Sequence, residues 1–201
     1  MWWLGLNCHG IAGRRAQEGV SCGLSASAER RAPNVRTLQK DELKEILIKN
    51  WMTHDAMWFY HCLQECGIER TNKINKAAIK SMAAIEIKRI QKAVGMDKVE
   101  TFEDLKSLAD AAFHTLTGDF MDFTYSFPSE NVLHGEWKNC FAYNGIKQIG
   151  VIDKYQCGIM ERIYAWFDGM GVKYNVSPQV EGCMMHTDGK CFREITFAFD
   201  K

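Results

Sequence analysis

The sequence predicts an α+β domain, a helical N-terminal half packed on a small, mainly antiparallel sheet. Residues 38–118 repeat apolar side chains at intervals of three and four, the spacing that gives a helix one buried face. After Gly118 the period falls to two. Met121, Phe123, Tyr125 and Phe127 alternate with Asp122, Thr124 and Ser126, as in a strand with one face on a core. A helical front and a mixed strand-and-helix back together make the class α+β. With 46% hydrophobic residues in 201, the chain can bury a substantial core without disulfides or metal.

Residues 1–37 stand apart from this pattern. After Trp2, Trp3, Leu4 and Leu6 they turn rich in Arg, Ser, Ala and Gly, with Arg14-Arg15 and Arg30-Arg31 and no period. The apolar start is too short for a secretory core and no hydrophobic segment follows Arg14-Arg15, so the stretch reads as a disordered or non-native leader. Cys8 and Cys22 therefore enter no site. The single domain then spans 38–201, helical over 38–118 and a strand-and-helix part over 119–201.

Leu43, Ile46 and Leu47 begin a first helix that runs to about Trp51. Thr53 and Asp55 cap or kink the chain into a second, through Trp58, Phe59 and Leu63, which Gly67 stops. A long third helix covers about Glu69 to Val94 and closes at Gly95. Thr101 with Asp104 forms a capping-box-like start for a fourth, ending at Gly118. The strand of Met121 to Phe127 turns at Pro128-Ser129 into another, about Asn131 to Lys138, which carries Glu136. A helical connection between Gly150 and Asp168 follows, and Cys157 opens its apolar-spaced segment, ended by Gly169 and Gly171. The last strands lie at about Val172 to Ser177 and in a hairpin whose arms hold Cys183 and Cys191 around Thr187-Asp188-Gly189-Lys190.

Glu136, Cys157, Cys183 and Cys191 come in an order and spacing that suit one folded zinc site. The hairpin would bring two sulfurs to one end of the sheet, and a thiolate in a first helical turn is favoured by the helix dipole. Glu136 with three thiolates would fill a tetrahedron and leave no open position, the mark of a structural ion. His134, two residues before Glu136, Cys140 just beyond it, and His186, across the hairpin from Cys191, compete for the fourth place. The alternative is that these are buried cysteines packing as small hydrophobes.

The segments Glu136-Trp137-Lys138-Asn139-Cys140, Cys157-Gly158, Gly169-Met170-Gly171-Val172, Glu181-Gly182-Cys183 and Asp188-Gly189-Lys190-Cys191-Phe192 lie between about Asn131 and Phe199. This stretch resembles the four-vinyl-reductase small-molecule-binding domain and the related sensor domains of phenol- and xylene-responsive activators. The resemblance implies a zinc held by Glu136, Cys157, Cys183 and Cys191, and a bound small molecule that is apolar or aromatic. From about Leu38 the whole chain also resembles an uncharacterised bacterial family related to the amino-thiazoline carboxylic acid hydrolases. That similarity implies an alternative, a metal-dependent hydrolase of a small cyclic amide or thiazoline carboxylate.

The 25 basic and 25 acidic residues cancel, so no overall field attracts nucleic acid or anionic lipid. No apolar run approaches the roughly 20 residues needed to span a bilayer. Eight cysteines without a credible signal peptide point to a reducing, cytoplasmic setting, where thiols act as ligands, nucleophiles or core residues. No Gly-rich phosphate loop, Gly-x-Ser-x-Gly elbow or His-Glu-x-x-His supports the common nucleotide-binding or hydrolase mechanisms. The expected partner is a small organic molecule, with a homodimer left open.

For that molecule the sequence offers two groups of residues. Trp58, Phe59 and His54 belong to a dense aromatic run, Trp51 to His61, which at helical spacing also suits a core stripe. Asn72, Asn75 and Glu86 form a polar line beside Ile79 and Met82 on the long helix, which also suits a helix edge with Glu86 paired to Arg89 on the surface. Cys62 and Cys66, four apart with no second pair, are expected to be buried.

Overall fold

The computed structural model describes residues 35–199, so the leader as far as residue 34 lies outside the described residues. Helix α1 spans Lys40–Val94 and is folded in two at Gly67, whose φ of 71° and ψ of 171° belong to glycine alone. On a straight helix Trp51 and Glu86 would stand about 50 Å apart. Both instead touch Arg162, so the limb before Gly67 returns beside the limb after it. No break falls between the expected first and second helices: Thr53 donates back to the Lys49 carbonyl from within a continuous helix instead of capping a new one.

Gly95, in the left-handed conformation, ends α1. Thr101 then caps α2, Phe102–Leu116, with a complete capping box: its hydroxyl accepts from the Asp104 amide and its own amide donates to the Asp104 carboxylate. Strands β1, Phe123–Ser129, and β2, Val132–Trp137, follow as an antiparallel pair. Helix α3, Phe141–Gln148, and helix α4, Gly158–Met170, precede β3, Lys173–Ser177. The expected Cys183/Cys191 hairpin is replaced by a short helix, α5, Met184–Asp188, running into β4, Cys191–Ala198. Gly189 has the positive φ that a turn would use, but it serves as the C-cap of α5. The strand arms that flank it in the sequence do not pair with each other; β4 pairs with β2 and β3.

The sheet has the order β1-β2-β4-β3 and every neighbour is antiparallel. One face is packed. Cys191, Arg193, Ile195 and Phe197 are buried on β4, and the register sets them beside Leu133 and Trp137 on β2 and beside Val176 and Tyr174 on β3. Helix α2 covers this face with Leu105, Leu108 and Ala112, all fully buried, and with Phe113, whose ring lies 4.5 Å from that of Tyr125 and 5.1 Å from that of Phe123. Helix α4 packs against α1 closely enough that a Cβ on Gly169 would lie 2.7 Å from Ile87. The opposite face carries Thr124, His134, Glu136, Phe192 and Glu194. The fold is therefore α+β, with helices layered on one side of a small antiparallel sheet. No helix among the described residues is long and apolar enough to cross a membrane.

Candidate functional site: an aromatic cavity beside a group of thiols

The fold-back of α1 at Gly67 opens a cavity of about 180 Å³ between both limbs of α1, the end of α2, α3, α4 and the sheet. Phe59, Ile79, Phe113, Trp137, Ile159 and Trp166 give it an apolar and largely aromatic wall. A second space of about 300 Å³ adjoins it and shares Trp51, Asp55, Phe59, Asn75, Ile79 and Met82. Such a lining, with few polar groups, is the usual character of a site for a small organic molecule.

The polar residues of the cavity wall are Asp55, Asn75, Thr117, Tyr155 and Arg162, of which the Thr117 hydroxyl donates to the Phe113 carbonyl and the Tyr155 hydroxyl accepts from the Gly158 amide. Arg162 donates through Nε and Nη2 to Glu86, at 2.8 and 2.6 Å, and Trp166 Nε1 donates to the same carboxylate at 2.8 Å. Its guanidinium lies 4.2 Å from the Trp51 ring centre and 5.5 Å from that of Trp166. A planar cation near two indole rings and held bidentately by a carboxylate is fixed in orientation. Asp55 stands at the edge, more than half exposed at 56%, and desolvation by the apolar wall raises its carboxyl while His54 and Arg162 oppose the rise.

The residues expected to hold a ligand divide. Phe59 and Asn75 line the main cavity. Trp58 lines the adjoining space and is itself 63% exposed. His54 is exposed and accepts from Trp58 Nε1 at 3.0 Å, on the outside of α1. Asn72 is buried away from the cavity: its amide donates to the Lys154 carbonyl at 2.7 Å and its oxygen accepts from the Gln156 amide at 3.2 Å, which ties down the loop that leads to Cys157. Glu86 acts behind the wall through Arg162, not on the surface with Arg89. Cys62 and Cys66 are partly exposed, not buried. Trp51, the first residue of the aromatic run, lines both spaces, whereas Arg162 and Tyr155 were not among the expected residues, although Arg162 stands in the α4 stripe of Ile159, Ile163 and Trp166, where a cation has no ordinary reason to be.

Next to the cavity lies a group of thiols. Cys140 immediately precedes α3, Cys157 precedes α4, Cys183 precedes α5, and Cys191 opens β4. The thiols of Cys157, Cys183 and Cys191 lie within electrostatic reach of one another, and Cys140 within reach of Cys157 and Cys191. Burial is the leading cause that pushes Cys140 up to about 12 and Cys191 up to about 11, and it raises Cys157 as well. Amides of Tyr143 and Ala142 oppose the rise at Cys140, and those of Met160 and Ile159 at Cys157. As the side chains stand, no group of three or more His, Cys, Asp or Glu among the described residues is gathered tightly enough to hold a metal ion.

Glu136 does not face these thiols. It pairs with Phe192, while its neighbour Trp137 pairs with Cys191, so strand alternation sets Glu136 on the opposite face of the sheet. His134 shares that outer face, its ring 5.8 Å from that of Phe192. His186, on α5, holds Asp153 at 2.8 Å. Of the three competitors for the fourth place, the fold brings Cys140 to the thiols.

A model for a family of unknown function, DUF6125, matches residues 36–182, which include the cavity-lining segments, Cys140 and Cys157, and stop before Cys183. No curated protein and no solved structure matches the chain.

Proposed function

We propose that this chain, which belongs to the family of unknown function DUF6125, binds a small apolar or aromatic molecule in the cavity under the fold of α1, with zinc as a structural ion beside it. The cavity carries the reading. An apolar cavity of about 150 Å³ accommodates benzene, so the space of about 180 Å³ suits a single ring with a small substituent. Asp55, Asn75 and Arg162 are the groups that would orient a substituent able to donate or accept hydrogen bonds. A hydroxylated or amino-substituted aromatic ring meets both requirements.

The zinc belongs to this reading through the donor set: thiols at the starts of α3, α4, α5 and β4 would tie together the segments that form one wall. A shell made mainly of thiolates binds zinc without leaving an open position, which makes the ion structural.

Three tryptophans, Trp51, Trp137 and Trp166, line the cavity, so binding is readable in their fluorescence. Titration with substituted phenols and anilines should give saturable quenching, and Ile159→Trp, which fills the cavity, should abolish it while the circular dichroism spectrum is retained. Unchanged titrations in the filled variant would place binding elsewhere. Turnover of a cyclic amide or thiazoline carboxylate would replace this reading with the hydrolase alternative.

A further inference from the structure

We infer that the cavity takes an aromatic carboxylate, whose two oxygens are held by the free edge of the Arg162 guanidinium with the Asn75 amide as a further donor. The inference rests on the cavity part of the reading above and names the charged group of its ligand. Arg162 supplies the first argument. A guanidinium carries five N–H donors in one plane. Glu86 takes two of them, from Nε and Nη2, at 2.8 and 2.6 Å. That pairing occupies one edge of the fork and leaves free the parallel N–H groups of Nη1 and Nη2. Arg162 makes no other hydrogen bond among the described residues. Its side chain is 20% exposed and lines the cavity. Donors so largely withdrawn from water, with no acceptor in the protein, call for one from a ligand. Two parallel donors match the two oxygens of a carboxylate.

Glu86 supplies the second argument, as the group that aims those donors. One of its oxygens accepts from Nη2, the other from Nε and from Trp166 Nε1 at 2.8 Å. Its side chain is 15% exposed and stands behind the wall, so it orients the guanidinium without meeting a ligand. Donors fixed in direction before binding lower the ordering cost of binding. A ligand carboxylate on the free edge would touch the cation and have the guanidinium between itself and Glu86. Coulomb energy falls with distance, so the nearer, attractive charge dominates. Asp55, the acid of the wall, has a side chain 56% exposed, where water screens its charge.

Asn75 supplies the third. It lines both spaces, and its amide makes no hydrogen bond among the described residues. Gly158 makes room for it: a Cβ there would lie 3.0 Å from Asn75 Nδ2 and 2.5 Å from Ile79 Cδ1. Gly158 and Arg162 are four apart on α4, hence on one face, which sets the Asn75 amide about one helical turn from the guanidinium. The hydroxyls of Thr117 and Tyr155 are already engaged, and no lysine lines either space among the described residues. The unfilled donors of the cavity are thus those of one fixed cation and one neighbouring amide.

The test compares benzoate with benzamide, which has nearly the same shape and no charge, by tryptophan fluorescence titration of the full chain. Benzoate is expected to bind about 10-fold or more tightly than benzamide. Arg162→Lys keeps the charge and loses the fork, and should bring that ratio down towards one. Asn75→Leu, at a residue with no hydrogen bond to lose, should lower it by a smaller factor. Phenol and aniline binding with a benzoate-to-benzamide ratio of one or less in the wild-type protein would overturn the inference and leave the cavity reading standing. A high ratio that survives in both Arg162→Lys and Asn75→Leu would overturn it too, by placing the carboxylate elsewhere. No saturable binding of any of the four ring compounds would overturn both. The wild-type ratio and Asn75→Leu decide the matter even where Arg162→Lys fails to fold.

Discussion

Asn72 shows how a polar residue in an apolar stripe can be structural. Its side chain satisfies the Lys154 carbonyl and the Gln156 amide across 82 and 84 positions of sequence, and it is 3% exposed. Those two backbone groups belong to the loop that ends in Cys157 and would have no other buried partner if the amide were removed. Asn72→Ala is expected to destabilise the fold by about 1–3 kcal/mol, the range for stranding buried hydrogen-bonding groups, whereas Asn75→Ala, with no hydrogen bond to lose, should change stability little and act on ligand binding. Denaturant melts of the two variants check the ranking; equal losses would mean that Asn72 is no clamp. Sequence periodicity sets Asn72 and Asn75 on one helix face, but it cannot tell which of them meets a loop 82 residues away. Trp137 is the large apolar residue that must point inward, so its neighbour Glu136 must point outward. That rule alone removes Glu136 from the side of Cys191 once the two strands are known to pair.

At the scale of elements, the legible ones carry their own local signals. Helix α2 has a capping box, α4 ends at Gly171 in the left-handed conformation, and β1 alternates cleanly. Helices α3 and α5 have eight and five residues, too few to establish a period, and α5 reads as a turn because its C-cap, Asp188-Gly189, is also hairpin chemistry. The folded-back form of α1 was only half legible. Gly67 announces a stop and the apolar spacing from about Glu69 announces a new helix at once, but nothing local says that the second limb lies beside the first. A Cβ at Gly67 would find open space, its nearest contact being the Glu69 carboxylate at 3.9 Å, so the demand for glycine there is purely conformational. Gly67→Ala should therefore cost about 1–3 kcal/mol through backbone strain alone. Gly95→Ala, also at positive φ but at an exposed helix end, should cost less, because fraying can relieve it. Thermal melts of both variants compare them, and an unperturbed Gly67→Ala protein would show that the fold-back does not depend on this dihedral pair.

In the whole molecule the thiol group and the cavity share one wall. Cys140 is followed by Phe141 and Ala142, and Cys157 by Gly158 and Ile159, and all four of these neighbours line the cavity. Tyr155 joins the two regions: it lines the cavity, its buried hydroxyl accepts from the Gly158 amide at 3.1 Å, and it lies in electrostatic reach of Cys140, Cys157 and Cys183. An ion that holds these cysteines together would hold the wall in its binding shape. On the proposed reading, removing the ion would free α3 and the start of α4 to move, and a ligand would then have to restore the order at the expense of its own affinity. Chelated protein is accordingly expected to bind the cavity ligand more weakly than the zinc-loaded form, without loss of the α1 fold-back or the Glu86–Arg162 pair. Equilibrium linkage requires the converse, with the ligand tightening zinc by the same factor. Two titrations measure the two sides of this cycle: tryptophan quenching with and without zinc, and zinc competition by a chromophoric chelator with and without ligand. Cys62→Ser should leave both factors unchanged, since Cys62 touches the adjoining space and not the shared wall. Equal factors above one on the two sides would establish the coupling; a factor of one on both, with each site still occupied, would show that the wall keeps its shape without the ion.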